Sequence, residues 1–480
     1  MSYIGKKGYT LFKNDINSSQ IKKIRDELTV KPFSTRGQEV SYPIFRESET
    51  KIYVPRYYGI EHFGEAENKF SKGETINLKF KGELFDFQNE IVLKYINSVG
   101  ESGGGLLDVE PGKGKTVMAL NIISKINKKT LVVVHKSFLM NQWIERIETF
   151  LPDAKVGRIQ ADVIDVEGKD IVLGMIQSLS NKDYPKELWE QFGMCVFDEC
   201  HHLSAEVFSN VMINIVTPYN LGLSGTMTRK DGLTKVFKYF IGPVIHKEKT
   251  DLTTEVFVKA IRIQNEDTFE NVKTDFKGQP LYSCMISKLD YSDRNLTIAN
   301  VVKNELKENE NQQIMILAHT KSIVQDLFKH ISTFEKSIGY YLGGMKEEHL
   351  KESESKKIIL ATYAMASEGL DIKTLTTLVL ATPKSDVCQS VGRILRSKHS
   401  TPLVIDLIDE HPLFDTQYKK RLTYYSSKNF KIHEYDNYRA YETNTHVVKK
   451  KEKATKKDSK ESKDSKDSRV KAVCLIPGLG

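Results

Sequence analysis

Two short clusters in this chain of 480 residues have the residue types and spacing to handle a phosphate ester. The first is Glu110, Pro111, Gly112, Lys113, Gly114, Lys115 and Thr116. An apolar run, Leu106-Leu-Asp-Val109, precedes it, and a run with helical periodicity, Val117 to Ile126, follows. Strand, glycine turn and helix form the context a phosphate cradle requires. Gly112 and Gly114 let the backbone turn its N–H groups inward, and the helix N-terminus adds donors and the positive end of its dipole. Lys115 is expected to reach the β- and γ-phosphates of a nucleotide, and the Thr116 hydroxyl to sit on Mg²⁺. The strict pattern would place glycine where Val109 stands. The alternative, a chance Gly/Lys turn, explains neither the strand before nor the helix after.

The second cluster ends another apolar run. Cys195-Val-Phe197 leads into Asp198-Glu199-Cys200-His201. A carboxylate at a strand end can hold Mg²⁺, and this role is expected of Asp198. Its neighbour Glu199 is placed to accept a proton from an attacking water. The cluster could also be an ordinary polar turn, or a metal site of its own. For zinc, one cysteine and two adjacent histidines lack a fourth ligand at useful spacing.

These residues must be positioned by regular elements. From 82 to about 247, short apolar runs (106–109, 131–134, 171–174, 195–197 and 221–224) alternate with helical patterns. Such alternation predicts an α/β domain with a buried parallel sheet. A second zone of the same kind is expected over 294–427, with strands at 314–317, 357–360, 378–380 and 403–407. Residues 1–81 read as an α+β or β-rich accessory domain and 248–293 as a connector holding one strand-like stretch, 254–263, and a polar loop. Residues 428–480 read as a Tyr-rich extension with a Lys/Ser/Asp tail.

Composition narrows the class. Hydrophobic residues make up 39% and charged residues 28% of the chain, an ordinary globular balance. There is no apolar run of about 20 residues to span a bilayer, and residues 1–14 do not read as a secretory signal. Five cysteines without a CxxC pair argue against a disulfide framework or structural zinc. The net charge of +8 is uneven: residues 449–471 hold eleven Lys/Arg against five Asp/Glu. That tail is expected to be disordered. A non-specific phosphate-binding role remains open for it.

With both clusters in view, residues 82–397 resemble the superfamily 2 helicases. The further motifs stand in order. Phe87-Gln88 resembles the adenine-side motif, and Leu131 to Trp143 resembles motif Ia. Gly174-Met-Ile-Gln-Ser-Leu179 resembles the next strand-contacting loop, and Leu223-Ser-Gly-Thr-Met-Thr-Arg229 resembles motif III. Ile314 to Lys321 is similar to motif IV, Ala361-Thr362 with Ser367-Glu-Gly-Leu-Asp371 to motif V, and Gln389-Ser-Val-Gly-Arg-Ile-Leu-Arg396 to motif VI. The resemblance implies two tandem RecA-like domains with ATP in the cleft and a nucleic-acid strand crossing both. It implies nucleotide contacts from Gln88, Gly369 and Asp371, and coupling roles for His201, Ser224 and Thr226. His135, Lys136, Gln177, Thr320 and Thr362 would contact nucleic acid. Arg393 and Arg396, three apart on one helix face, would act as arginine fingers.

The form of motif VI is nearer the XPB-like branch than the DEAD-box RNA branch. Arg229-Lys-Asp231 stands where that branch has Arg-Glu-Asp. The leader resembles that of XPB-like helicases of nucleocytoplasmic large DNA viruses, with the poxvirus transcript-release helicase more distant. The resemblance implies ATP and Mg²⁺ as cofactors, DNA as track with RNA possible, and transcription or repair machinery as partners. If the chain is viral, it implies a viral factory, virion or nucleus as location. Competing functions are an RNA helicase in transcript release and a motor subunit that pumps DNA without opening it. The tyrosines at 424, 425, 435, 438 and 441 could stack on bases, although packing of a terminal helix is the commoner use.

Overall fold

A computed structural model of the chain describes residues 2–31, 41–110, 112–199, 205–225, 233–248, 255–264, 269, 272–276, 278–366, 372–395 and 402–449. Of the expected site residues, Pro111, His201, Thr226, Gly369, Asp371 and Arg396 lie outside these, as do Cys200 and the tail from 450 onward.

Two eight-stranded sheets dominate. Nearly all their strand pairings are parallel; only an edge hairpin of each is antiparallel. In the first, spatial order runs Val163–Asp165, Val156–Gln160, Ile171–Met175, Thr130–Val134, Met194–Phe197, Tyr219–Ser224, Gly103–Asp108 and Val244–Lys247. The central strands read as continuous apolar runs because helices cover both faces; Leu131 to Val134 and Met194 to Phe197 are fully buried. Register then fixes the working edge. Phe197 lies opposite Val133, and Ser224 opposite Asp108. The phosphate loop, Asp198 and Ser224 therefore leave adjacent strands at the same carboxyl edge, where ligands of open α/β sheets bind.

The second sheet runs Ile338–Tyr341, Ile358–Thr362, Ile314–Ala318, Thr377–Leu380, Leu403–Asp409, Phe257–Ile263, Lys431–Tyr435 and Val447–Lys449. Three of these strands lie outside the stretch that the sequence assigns to this zone. Phe257–Ile263, expected in a connector, is an interior strand paired on both sides. The strand-like reading of this stretch holds, but its charged residues mask its place inside the sheet. Lys259 reaches Glu305 and Glu308, each at 2.8 Å, and Arg262 reaches Asp415 at 2.9 Å. The strand keeps its charges because carboxylates on the covering helices satisfy them. Lys431–Tyr435 and Val447–Lys449 then extend the sheet, so Tyr425, Tyr435 and Tyr441 are buried. They pack the fold and are not available for base stacking.

The leader forms a five-stranded sheet, ordered Arg46–Glu47, Lys51–Val54, Gly8–Phe12, Tyr3–Gly5 and Glu67–Asn68, with helices Ser18–Leu28 and Arg56–Phe63. The expected α+β unit is thus present. It shares a core with one face of the first large sheet, where Tyr58 meets Tyr239 edge-on. Buried Arg56 fixes the seam by donating to Pro218 O at 3.0 Å and Ser102 Oγ at 3.3 Å. Among the described residues no helix is long and apolar enough to cross a membrane.

Candidate nucleotide site and the surfaces around it

The phosphate-loop helix, Lys115–Ile126, begins at Gly114 with no side-chain cap. The N–H groups of its first turn have no acceptor within the helix, which leaves them for an anion. Gly112 and Gly114 hold φ of 85° and 80°, in the left-handed region. A Cβ on Gly114 would lie 2.4 Å from Gln88 Nε2. That contact explains Gln88. Its Nε2 donates to Lys113 O at 2.9 Å, and its Oε1 accepts the Phe85 N–H at 3.1 Å. Gln88 therefore ties the loop to the helix Asp86–Val99. Beside it, exposed Phe85 and Phe87 stack with centroids 6.0 Å apart, and Lys113 Nζ lies 5.5 Å from the Phe87 ring centre.

Lys115 is buried and pairs with Glu199 Oε1 at 3.0 Å. Glu199 adopts φ of 47°, uncommon for a residue with a side chain. Such strain is found where a site over-determines the backbone. Asp198 is buried next to it. Its Oδ2 accepts the Trp143 indole N–H at 2.8 Å, and its Oδ1 accepts the Glu199 N–H at 3.0 Å. Burial, with the Glu199 charge, raises the Asp198 pKa to about 6, while the Trp143 N–H and the Lys115 cation act against the rise. Ser224 is fully buried at the end of its strand, and its carbonyl accepts the Val109 N–H at 2.9 Å. It thus joins the motif III strand to the phosphate loop. The set fits Mg²⁺ and a nucleoside triphosphate: a carboxylate and a hydroxyl for the hard cation, a lysine for phosphate oxygens, and a glycine turn that a Cβ would fill.

Sequence reasoning gave no role to Trp143, which buttresses Asp198 from the helix Ser137–Phe150. An indole on the buried face of a helix looks like core packing, and only the fold turns its N–H to the carboxylate. It also missed Glu248, whose Oε2 accepts the Glu110 N–H at 2.9 Å.

The expected nucleic-acid contacts fall into two groups. His135, Lys136 and Gln177 meet at the carboxyl edge of the first sheet, where Gln177 Nε2 donates to His135 O at 3.2 Å. Burial lowers the Lys136 pKa. In the second domain, Thr320 caps the helix Lys321–Ile331 by accepting the Ile323 N–H at 3.3 Å. Thr362 is largely buried at the end of its strand. Neighbouring His319 is fixed by Thr382 Oγ1, 2.7 Å from its Nδ1, and burial with the Lys384 charge lowers its pKa to about 4. Arg393 is buried beyond the helix Cys388–Val391, and its charge acts on the Tyr341 phenol.

Comparison with known proteins agrees with this architecture. Residues 81–229 match the family described as type III restriction enzyme, res subunit, and residues 297–398 match the helicase conserved C-terminal domain. A protein of Acanthamoeba polyphaga mimivirus, named as an ATP-dependent RNA helicase, is 35% identical over 89% of this chain and 86% of its own. One from African swine fever virus, also named as an ATP-dependent RNA helicase, is 26% identical over 83% of this chain and 82% of its own. A DNA 3′-5′ translocase of the XPB type from Sulfurisphaera tokodaii is 25% identical over 69% of this chain and 82% of its own. Two RecA-like parallel-sheet domains, the first with its glycine turn and Asp-Glu strand end at one sheet edge, define the class as a helicase core. The chain belongs to the superfamily 2 helicases.

Proposed function

We propose that the chain hydrolyses ATP with Mg²⁺ at the Lys115, Asp198 and Glu199 site and uses the cycle to move along nucleic acid, with DNA as the favoured track. The observation that carries this reading is the contact of Lys115 with Glu199 at 3.0 Å beside buried Asp198. A cation for the γ-phosphate end and a carboxylate for the attacking water stand in one cleft. Thr116 and Asp198 would hold Mg²⁺, which when bound neutralises charge on the phosphate oxygens. Glu199 would accept the water's proton. Gln88 would hold the loop in shape for the nucleotide, with Phe87 on the adenine side. Arg393, from the other sheet, would stabilise charge on the transferred phosphoryl group. His135, Lys136 and Gln177 on one domain, with Thr320 and Thr362 on the other, would line the track.

DNA is favoured by the Gly-Arg-Ile-Leu-Arg form of motif VI at 392–396 and by the kinship with a DNA translocase. Viral transcription, repair or replication is the setting that the viral relatives favour. RNA as the track is the second reading, favoured by the names of the mimivirus and swine fever virus relatives. The test is steady-state ATPase with single-stranded DNA, duplex DNA and RNA side by side. Stimulation by DNA is expected; stimulation by RNA alone would reverse the choice.

A further inference from the structure

One contact ties the phosphate loop to a residue of the second domain that lies outside every helicase motif. Lys428 follows the helix Pro412–Ser427, and its Nζ lies 2.9 Å from Glu110 Oε1. The two side chains are 18% and 26% exposed, so much of the surrounding water is excluded. Glu110 is the first residue of the phosphate cluster. Its N–H is held by Glu248, whose own N–H donates to Asp108 O at 2.9 Å. The backbone is thus fixed at the root of the loop, while the carboxylate turns outward to the other domain.

On the far side, Lys428 is anchored as firmly. Arg421 pairs with buried Asp406 at 2.7 Å, and the Tyr425 hydroxyl donates to the same carboxylate at 2.9 Å. The Lys428 N–H donates to Tyr424 O at 3.1 Å, and the Tyr424 phenol and Cys388 thiol act on each other's titration. Cys388 opens the short helix that precedes Arg393, whose N–H donates to Ser390 O at 3.1 Å. A continuous run of contacts therefore leads from Glu110 through Lys428 to Arg393. Two further polar bridges between the domains, Lys351 to Glu145 at 3.1 Å and Asn141 to Glu347 at 3.3 Å, join exposed side chains. Exposed pairs contribute little.

We propose that Lys428 is a positioning residue for hydrolysis, its ion pair with Glu110 setting the phosphate loop and the Arg393 segment in register across the cleft. This rests on the two-domain hydrolysis reading above. ATP would be gripped mainly by the first domain, so loosening the pair acts on turnover and leaves binding nearly intact. The test uses the full chain with Lys428→Glu, Glu110→Lys and both together, plus Lys428→Gln. It measures kcat for ATP, affinity for a fluorescent ATP analogue, and the melting transition. Each single reversal should lower kcat about tenfold and the double reversal should regain most of it, as coupled neighbours do. Lys428→Gln should lower kcat with affinity within about twofold of wild type, in the range expected for one lost contact. Losses that simply add in the double reversal would overturn the proposal. So would an unchanged kcat in Lys428→Gln, which decides the matter if a reversal fails to fold. Lys115→Ala separates the two levels: hydrolysis surviving there would sink the hydrolysis reading itself. A dead Lys115→Ala beside additive reversals would sink only the role of Lys428.

Discussion

Lys115 Nζ stands 3.0 Å from Glu199 Oε1, so the cation proposed for a phosphate and the carboxylate proposed for water neutralise each other within the first domain. Each also holds the other in place. Lys115→Ala should abolish hydrolysis and leave Glu199 partly buried without its cation. Glu199→Gln should keep nucleotide binding while lowering kcat about 10²-fold or more, because the amide cannot accept a proton. Binding and steady-state turnover, measured for each variant, check this. Near-normal turnover in Glu199→Gln would remove the general-base role.

Asp198 is expected to set the pH dependence. Its pKa is raised to about 6 in the folded chain, chiefly by burial. The ionised carboxylate that would hold Mg²⁺ is therefore lost as pH falls through about 6. An acid limb near that pH is expected in kcat/KM, which reports the free enzyme. The linkage sign is opposite for stability. Between the ordinary carboxylate range and about pH 6 the folded chain binds more protons than the unfolded one, so this group's contribution to stability falls as pH rises through that window. Trp143→Phe removes the indole N–H that opposes the rise. The acid limb should then move to higher pH in a variant that still melts cooperatively. A profile flat from pH 5 to 7 would mean that Asp198 does not limit the reaction.

Gly114 offers a test of the loop itself. Its φ of 80° and the Gln88 amide 2.4 Å from the position of a Cβ leave no room for alanine. Gly114→Ala should incur about 1–2 kcal/mol of backbone strain and displace Gln88 from Lys113 O. Nucleotide affinity should fall more than tenfold while the melting temperature drops only a few degrees. Gln88→Ala should reproduce part of the affinity loss, because it removes the same tether without the strain. Wild-type affinity in both variants would separate Gln88 from the nucleotide site.

These cases explain what was legible in the sequence. The phosphate loop, the Asp-Glu strand end and the alternation of buried strands could be read because each is local: a turn needs its glycines, and a doubly covered strand needs a continuous apolar run. The stretch 254–263 reads as a strand, but its place inside the second sheet was hidden, because Lys259 and Arg262 interrupt the apolar run of a buried strand and the carboxylates that satisfy them lie far along the chain. Trp143 and Lys428 were hidden for the same reason. Their partners, Asp198 and Glu110, are 55 and 318 residues away, and nothing local marks either residue as more than packing or a solvated helix end.

The tail carries a prediction that rests on charge alone. Residues 449–471 hold a surplus of six positive charges, and no motif falls there. Deleting residues 450–480 should leave basal ATPase unchanged and flatten the salt dependence of nucleic-acid binding, because fewer counterions are released. Binding titrated from low to high salt, with and without the tail, decides it. An equal slope would show that the tail does not meet the backbone phosphates.

The strongest demand on the two-domain reading falls on Arg393. It belongs to the second domain, whose sequence has no phosphate loop of its own, so it can matter to hydrolysis only when that domain closes over the first. In the structure it is buried, and its charge acts on the Tyr341 phenol. Lysine at this position keeps the charge but loses the planar fork that grips phosphate oxygens. Arg393→Lys should therefore bind ATP nearly as the wild type does and hydrolyse it about 10³-fold or more slowly, the range measured for arginine fingers. Nucleic acid should stimulate the wild type by favouring closure, and stimulate the variant little, because closure then brings no fork to the phosphate. ATPase with and without nucleic acid, for both proteins, checks each half of the argument. A variant that is both fast and fully stimulated would mean that the two sheets do not share one active site.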